Sequence, residues 1–271
     1  MPSFIIVFSI TSYVVISTLK ESLGLIPELF LNDVTFKYYM ELFTDKIFVK
    51  SFMYSVFVAF ISTSLSAIIG TYLGYAVTKF KNTFLNVTYK FPIFLSYVAA
   101  AALIYNIYSD NGMLYHIIKI FGMEIDNIDI IYNANGLAVI LLNIFKGIPF
   151  IAFSVYPILL KTEIEYKETA KNLGCSNFRY VFKILLPLCK RAILSSALII
   201  FNYNLFTYEG FYYLGASNPP SIGVLAYSTY LNPDMTNRVY GMAINMVMIA
   251  ISLLLCYVYY KLIKDDHGEE I

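Results

Sequence analysis

The chain alternates long apolar runs with shorter polar connections. Phe4–Leu19, Ser51–Val77, Phe91–Tyr108, Gly136–Leu160, Ala192–Leu214 and Val239–Leu262 are each dominated by aliphatic, aromatic and small residues. Each is near or above the roughly 20 residues that an α-helix needs to cross a hydrocarbon core about 30 Å thick. Backbone polar groups in lipid must be satisfied within the segment, so runs of this length predict helices. The pattern predicts an all-α, polytopic membrane protein: one domain over residues 1–271, six transmembrane helices, and a long polar connection, 161–191, between the fourth and fifth.

The runs differ in ways that carry information. The first has no cationic segment before it and no A-x-A site after it, so it reads as a retained span rather than a cleaved signal. Residues 20–50 carry mixed charge and predict a loop with a short helix around Tyr38–Phe43. The second run contains Ser62, Ser64, Ser66, Ala67, Gly70 and Gly74, small residues that let helices approach closely. The third starts near Pro92 and is broken by Asp110-Asn111-Gly112. The fourth contains Lys146-Gly147-Ile148-Pro149. A lysine within a span costs about 2.5–3.5 kcal/mol on insertion scales, so it must snorkel, pair, or face the bundle interior. The fifth run contains Asn202, Asn204 and Glu209, and residues 216–237 read as a loop rich in Pro and Asn.

Charge is sparse, at 14% of residues, where a soluble domain averages about 25%. No basic block suits nucleic acid, and His116 and His267 are too few and too far apart for a metal cluster. Cys175, Cys189 and Cys256 have no C-x-x-C spacing. No phosphate-cradling G-x-x-x-x-G-K-[ST] appears, and no catalytic signature. The chain reads as a non-enzyme without a cofactor; if ATP drives it, another chain binds the nucleotide. Six spans place the 78–90 connection, the 161–191 connection and the tail on one side. That side holds Lys79, Lys81, Lys90, Lys161, Lys167, Lys171, Arg179, Lys183, Lys190, Arg191, Lys261 and Lys264, against Lys20, Lys37, Lys46, Lys50, Lys119 and Arg238 opposite. The richer side is cytoplasmic by the positive-inside rule, and both termini with it.

The 161–191 connection is the longest polar stretch. Thr162 with Glu165 three residues on forms a capping box that would open a helix there. That helix would end at Gly174, the residue best suited to a left-handed turn, and Ser176 or Asn177 would cap a second one. Phe178, Val181, Phe182 and Leu185 fall on one helical stripe, and Pro187 should kink or end that helix.

Glu168-Thr169-Ala170, three residues, Gly174, nine residues, Ile184, one residue and Leu186-Pro187 resemble the EAA loop of binding-protein-dependent ABC importer permeases. The departure is Thr169, where that family usually has Ala. Lys146 and Pro149 are similar to the K-x-x-P-F pattern of the same family, read either as a kink or as a functional position. Leu173-Gly174-Cys175-Ser176 is similar to the L-G-A-S of permeases for polyamines, ferric iron, thiamine and phosphonates; sugar importers more often have D-G-A.

The resemblance implies a bacterial plasma-membrane permease that forms a solute path with a second permease chain. Two ATP-binding subunits would dock on its cytoplasmic face, and an extracytoplasmic solute-binding protein would deliver the solute, a polyamine or similar. The ATPase-coupling residues it implies are Glu168, Thr169, Ala170, Leu173, Gly174, Ile184, Leu186 and Pro187. Lys146, Asn202 and Glu209 are candidates for the path or its gate, Glu209 either meeting a cation or serving packing and gating. The competing class, an ion-coupled secondary transporter, would require inverted repeats and several intramembrane carboxylates.

Overall fold

A computed structural model describes residues 2–26, 34–80, 83–121, 129–234 and 237–264. Among them there are helices and turns and no strand. The helices are α1 (Pro2–Ser22), α2 (Lys37–Thr44), α3 (Lys46–Phe80), α4 (Thr83–Thr88), α5 (Phe91–Phe94), α6 (Tyr97–Tyr108), α7 (Met113–Ile120), α8 (Leu137–Asn172), α9 (Asn177–Tyr180), α10 (Leu186–Phe206), α11 (Glu209–Leu214), α12 (Ile222–Tyr230) and α13 (Asn237–Lys264). A π-helical turn, Val181–Leu185, joins α9 to α10. Among the described residues five helical stretches are long and apolar enough to cross a membrane, and there are six if the bent pair Asn86–Phe94 plus Tyr97–Ile120 counts as one broken span. The all-α polytopic reading holds.

The core is α3 against α8, with α10 laid across both. Glycines give the register. A Cβ on Gly136 would meet Tyr54 and Val58, one on Gly147 would meet Ser66, and one on Gly70 would meet Ile148 and Ile151. Position numbers rise together along both helices, so α3 and α8 run parallel. Asn204 meets Ser62 and Thr63 while Ile200 lies near Gly147 beside Ser66, so α10 runs antiparallel to them. This alternation puts the ends of α3 and α8 and the start of α10 at one face of the bundle. At the opposite face Arg238 pairs with Glu21 at 3.1 Å, and the Tyr240 hydroxyl donates to Asp45 at 2.8 Å. These contacts tie the end of α1, the start of α3 and the start of α13 together. Helix α1 is otherwise peripheral: Ile5, Val7, Phe8 and Tyr13 are exposed along it.

Several expected boundaries change. The run Phe91–Tyr108 is two helices with a bend of 102° between them, not one straight span. Pro92 in the first turn of α5 and Ser96, whose Oγ accepts from the Ala99 amide at 3.2 Å, each start a helix, so the chain restarts within the run. Helix α6 alone has 12 residues, about 18 Å at 1.5 Å per residue, too short to cross. The fourth run does not end at Leu160. Helix α8 continues to Asn172 and carries both Pro149 and Pro157 inside it. The capping box at Thr162 is therefore not used, because Thr162 is buried in mid-helix. The fifth run stops at Phe206, where Thr207 turns extended, and Glu209 begins the separate α11. The expected loop 216–237 contains α12, capped by the Ser221 hydroxyl accepting from Val224 N at 3.2 Å and held to α3 by the Ile222 amide donating to Ser55 Oγ.

Gly70 and Gly74 thus serve packing within one chain. A Cβ at Gly70 would stand 2.8 Å from the Ile148 carbonyl oxygen, a backbone atom that cannot step aside; at Gly74 the nearest atom is the Leu159 Cδ1, 3.2 Å away. Gly70→Ala is expected to destabilise the chain by about 1–3 kcal/mol, as overpacking typically does, and Gly74→Ala by less. Thermal unfolding of the purified chain in mild detergent checks the order. Equal melting of both variants and wild type would mean that α3 and α8 do not pack this closely.

Candidate functional site

Two regions gather the residues singled out from the sequence. The first is the helical hairpin formed by the end of α8, the turn 173–176, α9 and the π-helical turn. Helix α8 ends because Gly174 sits at φ +75°, a region that costs an L-residue about 1–2 kcal/mol and glycine almost nothing. The Gly174 amide then donates to the Lys171 carbonyl at 3.0 Å and the Cys175 amide to the Ala170 carbonyl at 2.9 Å. This pair is the Schellman closure, which satisfies carbonyls that the helix end would leave open. Ser176, not Asn177, caps α9 through its side chain, accepting from the Arg179 amide.

The hairpin is locked by a residue that the sequence reading passed over. Tyr180 is 3% exposed, and its hydroxyl donates to the Thr162 carbonyl at 3.1 Å. It packs with Ala170, Leu185 and Cys189 in one buried cluster. A tyrosine one place outside a four-residue apolar stripe gives no sequence signal of this role. Lys167 pairs with Glu163 one turn earlier on α8.

The structure sorts the expected coupling residues by exposure. Glu168, Thr169, Leu173 and Gly174 face outward, with Leu173 83% exposed. Ala170 is buried within the hairpin, so it packs inside the chain rather than on the outer face with Thr169 and Leu173. Ile184 and Leu186 are half-buried and Pro187 is exposed. Pro187 does not end its helix. The π-helical turn directly before it widens the hydrogen-bond spacing where proline would disrupt the ladder. The predicted stripe is split: Leu185 is buried, whereas Phe178 and Phe182 are exposed and lie against each other, tilted by 40° with centroids 4.5 Å apart. Val181, Phe182 and Leu185 line a cavity of about 430 Å³ together with Thr71 and Tyr75 of α3 and Leu159 of α8.

The second region lies where α5 and α6 meet α8 and α10. A cavity of about 190 Å³ is lined by Ile93, Tyr97, Lys146, Phe150, Tyr203 and Asn204, among others. The Lys146 ammonium donates to the carbonyls of Pro92 at 2.7 Å, of Ile93 at 3.3 Å and of Leu95, and lies 5.2 Å from the Tyr97 ring centroid. The lysine is half-buried, and its ammonium is met by the backbone carbonyls at the end of α5. The Tyr97 and Tyr203 rings stand 4.8 Å apart. Glu209 Oε2 accepts from the Thr207 hydroxyl. Asn202 is not among the cavity-lining residues; Asn204, fully buried and donating to Ser62 and Thr63, takes that place. Among the described residues no group of His, Cys, Asp and Glu is placed to hold a metal.

Comparison with known proteins supplies the rest. Residues 62–265 match the family described as binding-protein-dependent transport system inner membrane component. The sulfate transport system permease protein CysT of Salmonella typhimurium is 22% identical over 230 residues, covering 84% of this chain and 80% of that protein. The spermidine/putrescine transport system permease protein PotB of Haemophilus influenzae is 26% identical over 156 residues, 56% of this chain and 48% of that protein. Among solved structures, a chain of a bacterial ABC transporter that imports the acidic polysaccharide alginate superposes with a TM-score of 0.77 at 16% identity, covering 100% of this chain and 94% of its own. Family members of this kind form the membrane path and are not enzymes, and a secondary transporter is set aside. With its family match spanning most of the bundle and both candidate regions, the chain belongs to the binding-protein-dependent inner membrane components and is a permease subunit of a type I ABC importer.

Proposed function

We propose that this permease carries a small oxyanion, with sulfate the foremost candidate, and that the 161–191 hairpin is where ATPase subunits push on it. The solute reading rests on the sulfate permeases, whose similarity extends over about four-fifths of both chains, whereas the polyamine permease matches little more than half of this one. Polyamine, which the L-G-C-S tetrapeptide favours, is the second reading. A separate solute-binding protein selects the solute, and a second permease chain completes the path.

The coupling reading is carried by one observation: a closed, internally locked hairpin that turns its charged and apolar tip outward. Glu168 and Thr169 on α8, Leu173 at the turn, and the Phe178–Phe182 pair are all exposed. A tip of this kind suits insertion into a groove of a partner. Gly174, Ser176 and the Tyr180–Thr162 bond hold it to α8 and α10, so displacement of the tip moves both spans. ATP favours one arrangement of the importer through its differential affinity for the two states of the ATPase pair. In this arrangement the hairpin, the end of α3 and both termini lie in the cytoplasm, consistent with the distribution of Lys and Arg.

Co-purification of the tagged chain in mild detergent tests the partners, and ligand binding to the associated solute-binding protein tests the solute. Bound sulfate that spermidine does not displace supports the oxyanion reading, and the converse supports the polyamine. Glu168→Arg is expected to lower ATP-driven uptake at least about tenfold, since truncating or reversing a contact-centre residue costs about 2 kcal/mol or more, while leaving the chain in the membrane at normal yield. Unchanged uptake and ATPase attachment would remove Glu168 from the interface. Gly174→Val has open space for its side chain, so its penalty is conformational, about 1–2 kcal/mol. It should weaken ATPase attachment more than Gly174→Asn does, because Asn tolerates the left-handed region. Equal pull-down yields from the two variants would show that the turn is not what the partner reads.

A further inference from the structure

The 102° bend between α5 and α6 leaves helix-terminal groups on both sides of Leu95-Ser96. On the amide side Ser96 Oγ accepts from Ala99 N. On the carbonyl side Pro92, Ile93 and Leu95 direct their oxygens at one atom, Lys146 Nζ, which belongs to α8. An ammonium has three protons and no acceptor, and three carbonyls take them. Irregular backbone at membrane depth persists only where protein satisfies it, and here a single side chain does so for three carbonyls at the helix end. The next residue, Gly147, lies so close to α3 that a Cβ there would stand 2.5 Å from Ser66 Oγ. Lys146 is therefore mounted at one of the closest contacts of the bundle.

We infer that Lys146 is a pin that sets the angle of the broken third span against the α3–α8 core, and so holds the wall of the 190 Å³ cavity formed by Ile93, Tyr97, Phe150, Tyr203 and Asn204. It is a positioning residue and not a ligand for an anionic solute in this conformation, because its protons are committed to carbonyls. A solute oxyanion would have to outcompete three acceptors and leave α5 uncapped. The same geometry explains the local pattern. Lysine supplies the donors, and the adjacent glycine brings its helix close enough to α3 to fix where they point.

The pin is independent of which solute is carried, while its effect on transport rests on the importer reading, so two readouts are needed. The assembled importer, reconstituted in lipid with its ATPase and binding protein, is compared as wild type, Lys146→Met and Lys146→Arg. Hydrogen exchange is followed over residues 91–100 and uptake with radiolabelled sulfate. Lys146→Met keeps stem length and loses every donor. It should raise exchange over 91–100 about tenfold or more, a local opening that leaves the remainder of α8 unchanged, and it should lower uptake by a similar factor. Lys146→Arg keeps charge and N–H donors but spreads them over a planar fork, so it should fall between wild type and Lys146→Met in both. Unchanged exchange over 91–100 in an assembled Lys146→Met complex overturns the inference. If Lys146→Met does not assemble, Lys146→Arg decides: exchange over 91–100 raised above wild type supports the pin, and exchange equal to wild type overturns it. If wild type carries no sulfate, the solute reading fails and the exchange comparison still judges the pin.

Discussion

The parallel contact of α3 with α8 is the constraint on which the other placements depend. Between helices in lipid there is little hydrophobic driving force, and association rests on close packing and on hydrogen bonds. Gly70, Gly74 and Gly147 remove side chains where the two backbones approach, and Ser66 fits against the last of them. Helix α10 then crosses with Asn204 bonded to Ser62 and Thr63, a buried polar node joining it to α3 beside α8. From this three-helix unit Lys146 fixes the third span, Ser55 fixes α12, and the continuous extension of α8 carries the hairpin out of the bundle.

A second theme is how the chain handles interruptions. The third span is broken, the fifth is π-helical near its start, and the fourth contains two prolines. At the best-defined break the exposed backbone groups meet a side chain: Ser96 takes the amide side and Lys146 the carbonyls. A cation inside a span is costly unless its protons are used, and a helix end inside a span is costly unless its carbonyls are used. Each of these costs offsets the other. The hairpin is closed by the same accounting of backbone groups, with the Gly174 Schellman bonds at one end and the Ser176 cap at the other.

The stiffness of the hairpin and the variety of irregular elements near the cavity suit different tasks. The turn at 173–176 is short, doubly capped and locked by Tyr180, so it behaves as one piece with α8 and α10. The region around α5, α6 and α11 consists of short helices whose mutual angles are set by few bonds, among them Lys146 to three carbonyls and Glu209 to Thr207.

The sequence by itself determined the class, the long apolar runs and the place of the turn at Gly174. Apolar run length fixes membrane crossing because backbone groups in lipid leave no alternative to helix, and the Glu168–Pro187 spacing marks the loop because the turn demands glycine and the following helix carries proline. Gly174 in the left-handed region was legible for the same local reason, and the cap was narrowed to Ser176 or Asn177, of which Ser176 serves. What only the tertiary structure decided depends on partners distant in sequence. Thr162 satisfies a capping pattern, yet α8 continues through it, because its backbone already lies within a longer ladder and its carbonyl receives Tyr180. Phe91–Tyr108 reads as one span, yet it breaks where a lysine some fifty residues later supplies donors for the exposed carbonyls. Ala170 lies within the shared motif, yet it turns inward while Thr169 and Leu173 face outward. Asn204 rather than Asn202 reaches the cavity for a geometric reason: two positions differ by about 200° around a helix, and only packing against α3 says which face is inside.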